Sequence, residues 1–174
     1  LVYNLTGVRK FDVGGLASPL NVAVGTEARR EGYALHAGEP DSYRNGGVKV
    51  LDANGNPTTR LAAVGSQVFP GFQPTDAGSH SRTNSAGYID LESDLTAKLL
   101  VGLAGRFEHY SDFGSTSTGK VSARFEPVRR FALRGAVSSG FRAPSLGQEF
   151  FSSTATNFIS GQPFDIRTFP VATA

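Results

Sequence analysis

Gly114–Lys120 reads GSTSTGK and satisfies the first seven positions of a phosphate-binding loop. That chemistry needs more than two glycines and a lysine: a Ser or Thr follows to hold Mg²⁺, a strand leads in and a helix leads out. Val121 stands in the metal-ligand position, and VSARFEP beyond it alternates as a strand does. The segment therefore reads as a loop joining two strands. Asp52–Pro57, DANGNP, offers oxygen ligands but lacks the spacing and closing Glu of a calcium loop. Asn54-Gly55 supplies instead the positive-φ pair of a tight turn, which predicts a small hairpin over Val48–Leu61. His36, His80 and His109 share no ligand spacing, and no serine stands in a nucleophile elbow. Cysteine is absent, which excludes a disulfide framework, a thiolate zinc site and a catalytic thiol. The expectation is a protein that is not an enzyme and carries neither metal nor cofactor.

The remaining candidates are charges and aromatics at alternate positions. Glu27, Arg29, Glu31, Lys98, Arg106, Glu108, Arg124, Arg134 and Arg142 fall on one parity of successive segments. Tyr3, Phe107, Phe125, Phe131 and Phe141 fall on the other. One use of the charged parity is a hydrated wall in which the charges pair with each other. The other gives Arg106 and Arg142 the task of attracting an anionic ligand, since clustered interior charge focuses the field on such a ligand. Phe69, Phe72, Phe150, Phe151 and Phe158 lie in connections and suit either a ligand-catching rim or the packing of loops on one another.

Strands must position these groups, because period-2 alternation dominates and helical periodicity is nearly missing. Leu99, Val101, Leu103 and Phe107 oppose Gly102, Ala104, Arg106 and Glu108; Val121, Ala123 and Phe125 oppose Ser122, Arg124 and Glu126. Phe131, Leu133 and Val137 oppose Ala132, Arg134, Ala136 and Ser138. The strands run about 10–16 residues, where soluble strands average about 5–6. Connections sort into short ones near Gly14–Pro19, Ser93–Thr96 and Pro127–Arg129, and longer ones at about 37–81, at Phe113–Thr118 and after Pro144. That asymmetry is characteristic of outer-membrane barrels, with short periplasmic turns and long extracellular loops. Mean hydropathy is −0.18 and no apolar run reaches the roughly 18 residues of a spanning helix. Alternating barrel strands average to the same neutrality. The 17 basic and 15 acidic residues are spread along the chain, without the basic cluster of a nucleic-acid binder. The fold class expected is all-β, an antiparallel meander of about six long strands. Six cannot close a bacterial barrel, which needs roughly eight or more, so the chain is expected to be an internal segment of a larger one.

Phe107–Gln148, FEHYSDFGSTSTGKVSARFEPVRRFALRGAVSSGFRAPSLGQ, closely resembles the barrel signature of TonB-dependent outer-membrane receptors. The residues that carry the likeness are Tyr110, Asp112, Phe113 and Gly114, then Lys120, then Arg134 and Gly135, then Gly140, Phe141, Arg142, Ala143, Pro144, Ser145 and Leu146. Leu20–Arg30 and Val68–Asp76 followed by Arg82–Leu95 are similar to other parts of that barrel. The resemblance implies a segment of a barrel of about 22 strands, plugged by an N-terminal domain that is missing from this sequence. It further implies uptake of a scarce nutrient such as a ferric siderophore, haem, cobalamin or a glycan. The implied partners are the plug and the other barrel strands, the TonB complex acting through that plug, outer-membrane lipid and a small-molecule ligand. A passive porin or small outer-membrane barrel, and a soluble β-sheet binding module, are the alternatives.

Overall fold

The computed structural model describes residues 1–65 and 70–171. They divide into two compact units, Leu1–Glu31 with Arg82–Ala143 and Gly32–Ser81 with Pro144–Ala174.

The first unit is built on an antiparallel sheet of β1 (Val2–Phe11), β2 (Leu20–Leu35), β5 (Gly78–Thr96), β6 (Leu99–Tyr110), β7 (Gly114–Val128) and β8 (Phe131–Ser138). Its spatial order is β1-β2-β5-β6-β7-β8, a meander once the small hairpin of β3 (Lys49–Leu51) and β4 (Pro57–Leu61) is set aside. The register converts the alternation of the sequence into two faces. Along one row Tyr88 opposes Arg106 and Arg106 opposes Thr118; along the next Asp90 opposes Ala104, Ala104 opposes Lys120 and Lys120 opposes Ser138. The interleaved rows on the other face set Leu91 against Leu103 against Val121 against Val137, and Leu99 against Phe125 against Leu133. This apolar face is not covered: Val121 is 54% exposed, Leu133 57% and Val137 80%. Strand charges depart from the polar face at Arg9 and Arg30. Arg9 lies near a strand end with its guanidinium over the Phe11 ring, and Arg30 is bonded to Leu1 beyond the paired start of β1. Long cationic side chains at strand ends can carry their charge to the margin while the stem stays on apolar surface.

Inside the polar face, Tyr88 lies flat over Gly25. A Cβ built on Gly25 would clash with Tyr88 Cζ and its hydroxyl oxygen, while the phenol reaches Thr6 and Asn4 on β1 and the Arg106 guanidinium covers the ring. Gly25→Val is expected to cost about 1–3 kcal/mol, the usual range for overpacking. Thermal unfolding would measure it. A Gly25→Val/Tyr88→Ala variant should lose less than the sum of its single changes, and strict additivity would refute the contact.

Several boundaries differ from those the sequence suggested. Phe113–Thr118 is not a long connection: β6 and β7 are joined by Ser111–Phe113, and the strand resumes at Gly114. Gly114 has φ +91, a conformation that glycine alone adopts without penalty, and this lets the chain reverse in three residues. Ser115 and Ser117 then pair with His109 and Phe107. The loop expected at about 37–81 is shortened to 36–77, because β5 starts at Gly78. The turn placed at Ser93–Thr96 lies after Thr96, and the one placed at Pro127–Arg129 falls between β7 and β8, where Arg130 takes φ 83. Phe141, assigned to the apolar parity, follows the end of β8 and so escapes strand alternation altogether.

The second unit holds the 3₁₀ turn Pro40–Ser42, the β3–β4 hairpin, the helix α1 (Leu146–Phe150) and a hairpin of β9 (Ser153–Ile159) with β10 (Gln162–Thr168). The β3–β4 hairpin falls within the expected Val48–Leu61. Its turn differs in kind: Gly55 takes positive φ and Asn54 does not. Asp52 closes it instead, accepting the Asn54 and Asn56 amides at 2.8 and 2.9 Å. Those amides, Asn56 foremost, hold its carboxyl below the usual carboxylate range. Ser145 starts α1 with a reciprocal cap, its hydroxyl accepting from Gln148 N while the Gln148 side chain accepts from Ser145 N.

Candidate functional site

Two charge systems meet on the loop-side half of the polar face. In the first, Glu27 on β2 receives Arg29 at 2.8 Å and Arg106 at 3.4 Å, and Arg106 is also held by Glu108 at 2.8 Å. Glu27 and Glu108 side chains are only 11% and 12% exposed. Pairing is what makes such burial tolerable, since an isolated ion would bear the full desolvation penalty. Arg106 is thus already saturated by two carboxylates, which fits the charge-pairing use of this parity better than anion capture.

The second system centres on Arg82, whose side chain is 3% exposed. Its Nη2 lies 3.0 Å from Glu31 and its Nη1 3.3 Å from Asp112. The guanidinium also sits 5.6 Å from the Tyr110 centroid and 5.7 Å from that of Phe113, within cation–π range. Tyr110 and Phe113 stack at 4.4 Å, and Phe141 closes on both at 6.1 and 5.6 Å. Tyr110, Asp112 and Phe113 therefore meet around one buried cation, with Phe141 packed on the two rings, and Gly114 supplies the turn that brings Asp112 and Phe113 back. Arg82 is the residue that the sequence reading missed as a functional candidate. Its signal was its parity, shared with Asn84 and Ala86 at the head of a strand.

The other predicted residues are dispersed. Lys120 and Arg134 stand on the polar face of β7 and β8. Gly140, Phe141, Arg142, Ala143 and Pro144 form the extended stretch after β8, and Ser145 caps α1. Arg142 is exposed and, among the described residues, makes no ion pair.

The loop aromatics pack within the second unit. Phe72 meets Phe151 edge-on at 6.1 Å, and Phe150 stacks on His80 at 3.8 Å. Phe158 remains 56% exposed, and Phe69 lies outside the described residues. This unit also contains a site with no sequence signal at all. Asp76, its side chain fully buried, receives the hydroxyls of Ser152 at 2.9 Å and Thr154 at 3.1 Å, and Arg167 Nε at 3.3 Å. Arg167 donates in addition to the Thr75 carbonyl at 2.5 Å.

Set against known protein families, residues 6–168 match the family described as TonB dependent receptor-like, beta-barrel. No curated protein matches the chain. Among solved structures it is similar to the crystal structure of the siderophore receptor PirA from Acinetobacter baumannii, with 17% identity and a TM-score of 0.62. The match covers 97% of this chain and 22% of that one, so the chain spans about a fifth of the receptor's length. At that identity the likeness speaks for the fold.

Proposed function

The chain belongs to the TonB-dependent receptor β-barrel family, and from that premise we propose that it is a stretch of barrel wall in a bacterial outer-membrane receptor for energised nutrient uptake. Its polar face lines the lumen and its apolar face meets lipid. The observation that supports this is the register-enforced separation of the two faces across six consecutive strands, with the apolar one left uncovered. In water such a face would drive association; in a bilayer it is the ordinary outer surface of a barrel. Closure is then supplied by further strands, since lipid leaves no partner for an open sheet edge.

The segment 36–77 and the region after Pro144 serve as extracellular loops, and the short connections after β1, β5 and β7 face the periplasm. Phe72, Phe150 and Phe151 hold the loop unit together, so that ligand contact falls to Phe158 and the cationic Arg142 rather than to them. Arg106 acts as a strut of the wall. The cargo is a small scarce nutrient, such as a ferric siderophore, haem, cobalamin or a glycan. Movement of a plug coupled to TonB performs the transport, with no bond made or broken.

The test places a fluorophore on single cysteines in the full-length receptor, in lipid bearing brominated acyl chains. Labels at Val121→Cys and Val137→Cys are expected to be quenched, and those at Ser122→Cys and Ala136→Cys to stay bright. Equal brightness at all four would reject the assignment of faces.

A further inference from the structure

Charge on the loop-side half of the polar face is matched internally; on β7 and β8, among the described residues, it is matched only between Arg124 and Glu126. Register sets Arg124 directly opposite Arg134. Like charges in that relation repel and destabilise a sheet. Arg124 is in contact with Glu126, whereas Arg134 makes no ion pair among the described residues, and nor does Lys120. The row between Lys120 and the two arginines consists of Gly102, Ser122 and Ala136, in register across β6, β7 and β8. Their small side chains leave a groove of about 440 Å³, lined on this face by Leu100, Gly102, Ser122, Arg124, Arg134 and Ala136. Two carboxylates approach it. Glu126 is committed to Arg124, and Glu92 leans toward Gly102 without forming an ion pair among the described residues.

We propose that this groove is an oxyanion subsite, in which a carboxylate lies between Arg134 and Arg124. A planar guanidinium fork suits a carboxylate in two-point contact, and the small row beneath gives it room. The proposal rests on the polar face being the lumen wall. The carboxylate has two possible sources, a small anionic ligand or an acidic side chain elsewhere in the same receptor.

The sign of one substitution separates a filled groove from an empty one. In an empty groove Arg134→Gln relieves repulsion and leaves stability equal or higher. In a filled groove it removes a charge-assisted partner and lowers it. The experiment uses the full-length receptor in detergent at low ionic strength, with citrate as the probe and Arg129→Gln, in the exposed turn, as the control. With a ligand source, citrate binds by calorimetry, and Arg134→Gln weakens it roughly ten- to a hundredfold, as expected for one hydrogen bond to a charged group. With an internal source, citrate does not bind, but Arg134→Gln lowers the melting temperature where Arg129→Gln does not. If citrate fails to bind and Arg134→Gln melts at or above wild type, the subsite does not exist. Acyl-chain quenching keeps the two readings apart. A bright Ser122→Cys label with that null result removes the groove alone, and a quenched one removes the lumen wall with it.

Discussion

Glu31→Ala combined with Asp112→Ala is expected to destabilise the sheet by about 3–5 kcal/mol, the range for breaking a buried ion pair by removing one side of it. Arg82 is the buried member, at 3% exposure, while Glu31 and Asp112 are 40% and 24% exposed. Losing the carboxylates therefore leaves a guanidinium deep in the structure without two of the anions that hold it. Losing Arg82 leaves two carboxylates that water can still reach. The asymmetry predicts an order. The double variant should be worse than Arg82→Ala, and adding Arg82→Leu to it should restore stability, because an apolar side chain beside Tyr110 and Phe113 carries no charge to desolvate. Asp112→Ala alone should cost less than the double change, since Glu31 still accepts from Nε and Nη2. Urea unfolding of the full-length receptor in detergent, followed by circular dichroism, gives all four values. A triple variant no more stable than the double would show that this charge is not the weak point.

That cluster also gives the signature a physical meaning. Asp112, Phe113 and Phe141 are distant from Arg82 in sequence, and no spacing announces the contact. What unites them is a three-residue reversal at the head of β7, together with a chain that turns back over the sheet once β8 has ended. In this chain Tyr110, Asp112 and Phe113 thus border a cation supplied by another strand.

The sheet itself was legible because its information is local. Each strand states its two faces in its own alternation, and the register kept these assignments within the paired strands from β5 to β8 as far as Ser138, while Lys98 fell in the turn between β5 and β6. Connections were harder. Ser115, Thr116, Ser117 and Thr118 look like loop because they are small and polar, yet β6 offers them paired backbone, and only the conformation of Gly114 reveals how short the turn is. Phe141 failed for the opposite reason: alternation was extended past the point where pairing stops. Arg106 was placed on the right face, but its pairing with Glu27 and Glu108 depends on which strands become neighbours. Asp76 was invisible, because Ser152, Thr154 and Arg167 reach it from a hairpin nearly eighty residues or more away.

Asp76 carries the second large expected effect. One carboxylate oxygen takes both hydroxyls and the Arg167 Nε, while the other is buried with no hydrogen-bond partner among the described residues. The β9–β10 hairpin is thereby tied to the residues just before β5, through Asp76 Oδ1 and through the Arg167 contact to the Thr75 carbonyl. Asp76→Ala would remove the acceptor that Ser152 and Thr154 share, leaving Ser152 the Thr168 carbonyl at 3.1 Å, and withdraw the anion facing Arg167, at a cost of about 3 kcal/mol, near the low end for disrupting such a network. Arg167 is partly exposed and water will compensate some of its loss, which keeps the figure there. Because about 1.4 kcal/mol corresponds to a tenfold change in equilibrium, hydrogen exchange at the β9–β10 amides should accelerate roughly a hundredfold. Exchange in β6 and β7, which belong to the other unit, should stay as in wild type. Asp76→Asn separates shape from charge. Its carbonyl can still accept from Ser152 and Thr154, so the hairpin should retain most of its protection. Losing as much protection as the alanine variant would mean that the tie is the ion pair with Arg167 and not the hydroxyl contacts. Unchanged exchange in both variants would mean that the hairpin is held by its own pairing, with Asp76 merely buried beside it.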